Sequence, residues 1–305
     1  MLDRQLVEQV AGALATDEGL VEKDWYVVRA LAVVAAVDHG DALPAFSGGT
    51  SLSKGWGLIK RFSEDIDFKV AMPVAASRAE DRKQRRAYRQ QILNALTTGG
   101  FTQVGAPLVG DASRFFSVNL TYPSVFSVGP GLRPHIRIEM SFHAPALPPI
   151  ARPIQSLIAM AQRHPPEVPA FPCIDPVETA ADKLSALTWR VLTRQRGAIG
   201  DDATLIRHLH DLAALKSAVE AVPAFTTLVF RAAAADAGRG GEATASSDPA
   251  TLFASMIERL RSDRLWATEY DDFVRQVSFA RPDERIGFDQ ALAAVIALVD
   301  MLGAA

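Results

Sequence analysis

Two carboxylates one residue apart, Asp65 and Asp67, lie beyond a glycine pair, Gly48-Gly49, that opens the polar run Thr50-Ser51-Leu52-Ser53-Lys54. Glycine lets backbone approach a phosphate closely, and amides at a helix start favour an anion. Asp65-Ile66-Asp67-Phe68 alternates polar and apolar, which predicts a strand with Ile66 and Phe68 inward and both aspartates on the other side. Two adjacent carboxylates repel, and a divalent cation (Mg2+ or Mn2+) is the usual compensation. A glycine pair alone usually marks a turn, and a lone Asp-x-Asp a solvated strand end. Their order here, apolar strand, glycine turn, short helix, acidic strand, implies chemistry on a nucleoside triphosphate.

A third acid fits the same pattern. In His135-Ile136-Arg137-Ile138-Glu139-Met140 the apolar residues share one strand face and Arg137 and Glu139 the other. Glu139 is therefore the candidate third carboxylate, the alternative being a solvent-facing Arg–Glu strand. Asp65, Asp67 and Glu139 would hold two metals, which activate an incoming hydroxyl and neutralise the triphosphate. Backbone amides from Gly48 and Gly49 to Ser51, with the Thr50 and Ser51 hydroxyls, would hold its phosphates. Lys54, one helical turn on, fits either this pocket or a stem reaching solvent. Ser63 reads as a structural cap in preference to a phosphate contact.

These residues resemble the signature of the nucleotidyltransferase superfamily, in the form carried by the AbiEii/AbiGii toxin family, called MenT-like in mycobacteria. Glu22-Lys23-Asp24-Trp25 is similar to that family's N-terminal helix, which often reads EKDW or EKDY. Asp175-Pro176 through Asp182-Lys183-Leu184 is similar to its lysine motif, and Arg207-His208-Leu209-His210-Asp211-Leu212 to its final motif, usually R-D-x-x-D-L. The resemblance runs from about residue 20 to 215. Two departures stand out: fifteen residues separate Gly49 from Asp65, and His208 replaces the usual acid. The resemblance implies a phosphate-neutralising, nucleotide-binding role for Lys183. Asp211 lies in an apolar helix where an unpaired carboxylate is costly, so pairing with Lys183 or a basic neighbour is expected, with Arg207 as the candidate third member. It further implies transfer of a nucleotide from an NTP to an RNA acceptor, the tRNA 3′ end, blocking translation, and a cognate antitoxin as partner. Two other readings share the residues: an AMP- or UMP-transferring enzyme acting on protein, and a silent nucleotide-binding module.

The elements that must position these groups follow from periodicity. Helices are expected over 3–15, 21–38, 77–98, 177–196 and 201–219, with three more near 249–262, 266–279 and 284–303. Strands are expected at 44–47, 65–70, 101–105, 113–122 and 133–142, with a Gly/Pro loop over 127–131. The proline-rich stretch 143–174 reads as a loop-laden crossing between lobes, and 236–248 as a mobile loop. The fold class is α+β: a polymerase beta-like mixed sheet with flanking helices over 1–150, then a mostly helical C-terminal lobe over 151–305 that contributes Lys183 and Asp211 to the site.

Composition sets outer bounds. With 49% hydrophobic and 22% charged residues in 305, the chain has the make-up of an ordinary globular protein. A single cysteine, Cys173, excludes an internal disulfide and reads as a small buried residue. The N-terminal residues do not read as a signal peptide, and the longest apolar run, 30–37, is too short to span a bilayer, so a cytoplasmic protein is expected. The net charge of −3 conceals a basic stretch at 78–89, six basic against two acidic side chains. It reads either as an RNA contact near the active site or as a solvated helix with internal ion pairs.

Overall fold

The computed structural model describes residues 2–127, 129, 132–237, 239 and 248–303. Of the two expected loops, residues 128, 130, 131, 238 and 240–247 lie outside this set. The chain forms two compact units, Met1–Asp175 and Pro176–Ala305. The division falls after residue 175, not after 150.

The first unit is built on a seven-stranded sheet. In chain order it runs α1 (Arg4–Leu14), α2 (Glu18–Ala35), β1 (Leu43–Ser47), α3 (Gly48–Lys54), β2 (Asp65–Ala71), α4 (Arg78–Thr98), β3 (Thr102–Gly110), β4 (Phe115–Thr121), β5 (Ile136–Ser141), β6 (Ile150–Ile154), α5 (Leu157–Ala161) and β7 (Val168–Cys173). The spatial order is β3-β4-β5-β2-β1-β7-β6. Strand β2 runs parallel to β5 and antiparallel to β1, so the sheet is mixed as the alternation patterns imply.

Strands β6 and β7 correct the expectation of a loop over 143–174. Prolines 153, 169 and 172 conceal them in the sequence, since proline removes a ladder donor. The sheet tolerates them because β6 is an edge strand and β7 pairs with β1 only at Phe46 opposite Cys173. Cys173 is fully buried there, and burial pushes its thiol up to about 11, an unreactive packing residue as read.

One face of the sheet is apolar and closed. Ile66, Phe68, Val70, Ile136, Ile138 and Met140 pack with Val27, Leu31 and Val34 of α2 and with Tyr88, Ile92 and Leu96 of α4. Helix α2 starts from Asp17, whose side chain accepts from Leu20 N–H, and α4 from Ser77, which accepts from Glu80 N–H.

The second unit is all helical: α6 (Pro176–Thr193), α7 (Arg207–Val219), α8 (Ala224–Asp236), α9 (Pro249–Ser262), α10 (Leu265–Val277) and α11 (Phe288–Gly303). Helix α8 was not expected from the sequence. The segment Pro282–Gly303 is long and apolar enough to cross a membrane by length and composition, a property that a search for uninterrupted apolar runs misses. Of this stretch 28% is buried, Ala291, Leu292, Val295 and Leu298 included, where α11 packs on α7, α9 and α10.

Candidate active site

Strand pairing brings the three acids of the first unit onto one surface. Asp67 lies opposite Glu139 and Asp65 opposite Arg137 across the parallel β2–β5 ladder. Directly paired residues share a sheet face. Ser117 continues the row beyond Glu139, and Ser47 beyond Asp67. Ser117 Oγ donates to Glu139 Oε1 at 3.4 Å. Arg137 Nε donates to Asn119 Oδ1 at 3.3 Å, and its Nη1 lies 3.9 Å from Glu139 Oε1. The expected third carboxylate therefore stands beside Asp67, with an arginine at its side.

The glycine turn is fitted to these acids. Gly48 has φ +74°, and a Cβ built on it would fall 1.9 Å from Asp67 Oδ2. A Cβ on Gly49 would fall 2.8 Å from Arg61 Nη2 and 2.9 Å from Ser63 Oγ. At Gly48 only glycine permits both the conformation and the approach.

Three residues expected to bind nucleotide are placed otherwise. Thr50 is fully buried and its hydroxyl donates to the Asp65 carbonyl, tying α3 to the acidic strand. Ser51 is also buried. Lys54 neither snorkels nor lies open to a ligand: it is buried in an ion pair with Asp24 of α2. The other Asp24 oxygen accepts from Leu157 N–H at 2.7 Å, at the start of α5.

Asp24 is one of three consecutive charged residues on α2, and all three are buried. Glu22 accepts from Ser124 Oγ, Val125 N–H and Phe126 N–H at 2.7, 2.8 and 3.1 Å, fixing the turn after β4. Lys23, 0% exposed, donates to Glu64 and to the Arg133 carbonyl. Burial holds its amine below the ordinary lysine range, although Glu64 pulls the other way. Glu64 Oε1 accepts from Arg133 Nε at 2.7 Å, and Arg133 Nη2 donates to Asp65 Oδ2 at 3.1 Å. Burial draws the guanidinium down, but Asp65 and Glu64 outweigh it and leave it raised. Sequence reasoning found neither Glu64 nor Arg133. The one signal is three successive charges, Glu22-Lys23-Asp24, within a mostly apolar helix.

The donor chemistry suits a hard divalent cation: carboxylate oxygens on adjacent strands, with Asp65 Oδ1 buried and lacking a hydrogen-bond partner among the described residues. Among the described residues no three His, Cys, Asp or Glu side chains are gathered around a metal position. A cleft of about 420 Å³ lies at the other end of β2, lined by Met72, Arg78, Asp81, Arg85 and Phe142, and Asp65, Asp67 and Glu139 lie outside it.

The basic stretch does not border the carboxylates. Helix α4 covers the apolar face of the sheet, and the acids occupy the opposite one. Arg85 pairs with Asp81 and donates to the Ala112 carbonyl, and Arg89 donates to the Ser113 carbonyl at 3.4 Å and lies over Phe116. This matches the reading of a helix with internal ion pairs.

In the second unit Lys183 Nζ lies 2.7 Å from Asp211 Oδ2, and both are buried, as the cost of an isolated carboxylate implied. Arg207 is not the third member: its Nη1 donates to Thr204 Oγ1 at 3.0 Å. His210 Nδ1 lies 3.5 Å from Asp211 Oδ1. Burial holds His208 well below the ordinary histidine range, reinforced by Lys183, Arg207 and Arg190. A neutral imidazole thus stands where the resemblance led to an acid.

A mixed sheet carrying an acidic pair in register, with a glycine turn pressed on one of its carboxylates, is the arrangement expected of a nucleotidyltransferase. Residues 29–294 match the family model described as nucleotidyl transferase AbiEii toxin, type IV toxin–antitoxin system, and the chain belongs to that family. Among solved structures it is similar to MenT4, a nucleotidyltransferase toxin from Mycobacterium tuberculosis H37Rv, with 20% identity and a TM-score of 0.54 over 97% of this chain and 99% of that one. No match is found among curated protein sequences.

Proposed function

We propose that the chain transfers a nucleoside monophosphate from an NTP to an RNA acceptor, the 3′ end of a tRNA, and so blocks translation. The observation that carries the reading is the register of Asp67 with Glu139, beside Asp65 two residues along the same strand face. In this reading Asp65, Asp67 and Glu139 would hold Mg2+ (or Mn2+), which would supply polarisation of the α-phosphate and a lowered pKa for the attacking hydroxyl. Glu139 takes the hydroxyl proton as the new bond to the α-phosphate forms and pyrophosphate leaves. The Gly48-Gly49 turn admits the triphosphate beside Asp67. Lys183, anchored by Asp211, is the phosphate-neutralising cation. A cognate antitoxin opposes the activity, as the type IV system of the family implies. The reading sets the protein in the cytoplasm, where tRNA and NTPs are found.

The test is incubation of purified protein with each labelled NTP in turn and total tRNA. Label is expected in tRNA with the wild type and not with Asp67→Ala. Label in neither, or equal label with both, would overturn the reading. Label in protein would support the AMP- or UMP-transferring alternative.

A further inference from the structure

The Lys23–Glu64–Arg133–Asp65 chain does more than brace a loop. It runs from the buried start of α2 to one of the three acids, and its four formal charges cancel. Arg133 is held at three points: Nε and the backbone N–H donate to the two Glu64 oxygens at 2.7 and 3.0 Å, and Nη2 donates to Asp65 Oδ2 at 3.1 Å. Lys23 fixes both Glu64 and the Arg133 carbonyl, so the guanidinium is aimed by groups that are themselves anchored. A guanidinium stays protonated at any working pH, so a divalent cation approaching Asp65 meets a permanent like charge.

We propose that Arg133 is a positioning residue that orients Asp65 and serves as its standing counter-ion, with which an incoming divalent cation must compete. The proposal rests on the carboxylate reading above. It predicts two opposite effects from one substitution. Removing the charge strengthens divalent binding by about tenfold, the effect of one unit charge about 5 Å from a divalent ion at the dielectric of water. It also slows turnover at saturating metal, because Asp65 loses its orientation.

Mn2+ is titrated into wild type, Arg133→Met, Arg133→Gln and Arg133→Lys, with free Mn2+ read by electron paramagnetic resonance and folding checked by circular dichroism. The expected result is tighter Mn2+ binding with Met and Gln and near-wild-type binding with Lys. A purely structural strut would leave the affinity unchanged or weaken it in a folded Gln or Met variant, and that result overturns the proposal. If wild type binds Mn2+ no better than Asp67→Asn, the carboxylate reading fails and this proposal falls with it. An intact wild-type site that Arg133→Gln does not tighten sinks the Arg133 role alone.

Discussion

The two faces of the central sheet divide stability from chemistry along a single strand. On β2, Ile66, Phe68 and Val70 are buried in the core under α2 and α4, whereas Asp65 and Asp67 are part-exposed on the other side. The apolar face is closed by generic contacts that many side chains of similar volume would make. The polar face depends on individual atoms: an in-register acid, a glycine with no Cβ, an arginine held at three points. A period of two thus lets neighbouring residues answer to unrelated demands.

Substitutions at adjacent positions sharpen that division. Asp67→Asn is expected to lower nucleotidyl transfer on the order of a thousandfold. Its thermal midpoint is expected to change less than that of a core variant, because Asp67 is part-exposed. Phe68→Ala is expected to destabilise the fold by about 3–5 kcal/mol in denaturant titration. Its residual folded fraction keeps near-normal turnover per folded molecule. A Phe68 variant that is stable yet inactive would break the comparison.

Lys54 tests which side of the division the lysine of the glycine-turn helix serves. Its amine is buried against Asp24, so Lys54→Met leaves a buried carboxylate and is expected to cost about 3 kcal/mol of stability. The KM for NTP is expected to change little. A large rise in KM with unchanged stability would return Lys54 to the phosphates.

The smallest expected effect concerns His208. Its folded pKa lies well below 6.5, so on acidification the unfolded chain binds the proton first. Stability is therefore present above pH 6.5 and declines as pH falls from there toward the lowered value. His208→Gln is expected to flatten that part of the stability–pH curve, measured by urea unfolding at a series of pH values. An unchanged slope would show that burial of His208 does not govern it.

Local pattern made much of this legible. Alternation placed Asp65, Asp67 and Glu139 on strand faces, and the cost of burying Asp211 alone pointed to a basic partner, Lys183 or a neighbour. What stayed hidden depends on long-range packing. Asp24 meets Leu157 N–H across the whole sheet-bearing unit, and Glu64 meets Arg133 through a turn that no periodicity marks. Lys54 was read by its helical spacing from Thr50 alone, and nothing in that spacing reveals α2. Strands β6 and β7 escaped because proline, a loop signal, is tolerated where few ladder bonds are asked of it.

The parallel pairing of β2 with β5 also sets when the site can exist. All of α4, β3 and β4 are made between these two strands, so Asp67 meets Glu139 only after that long segment has closed. Closure of this kind has a high contact order and comes late in folding. A chain still emerging from the ribosome therefore displays two acids without the third until β5 has been synthesised.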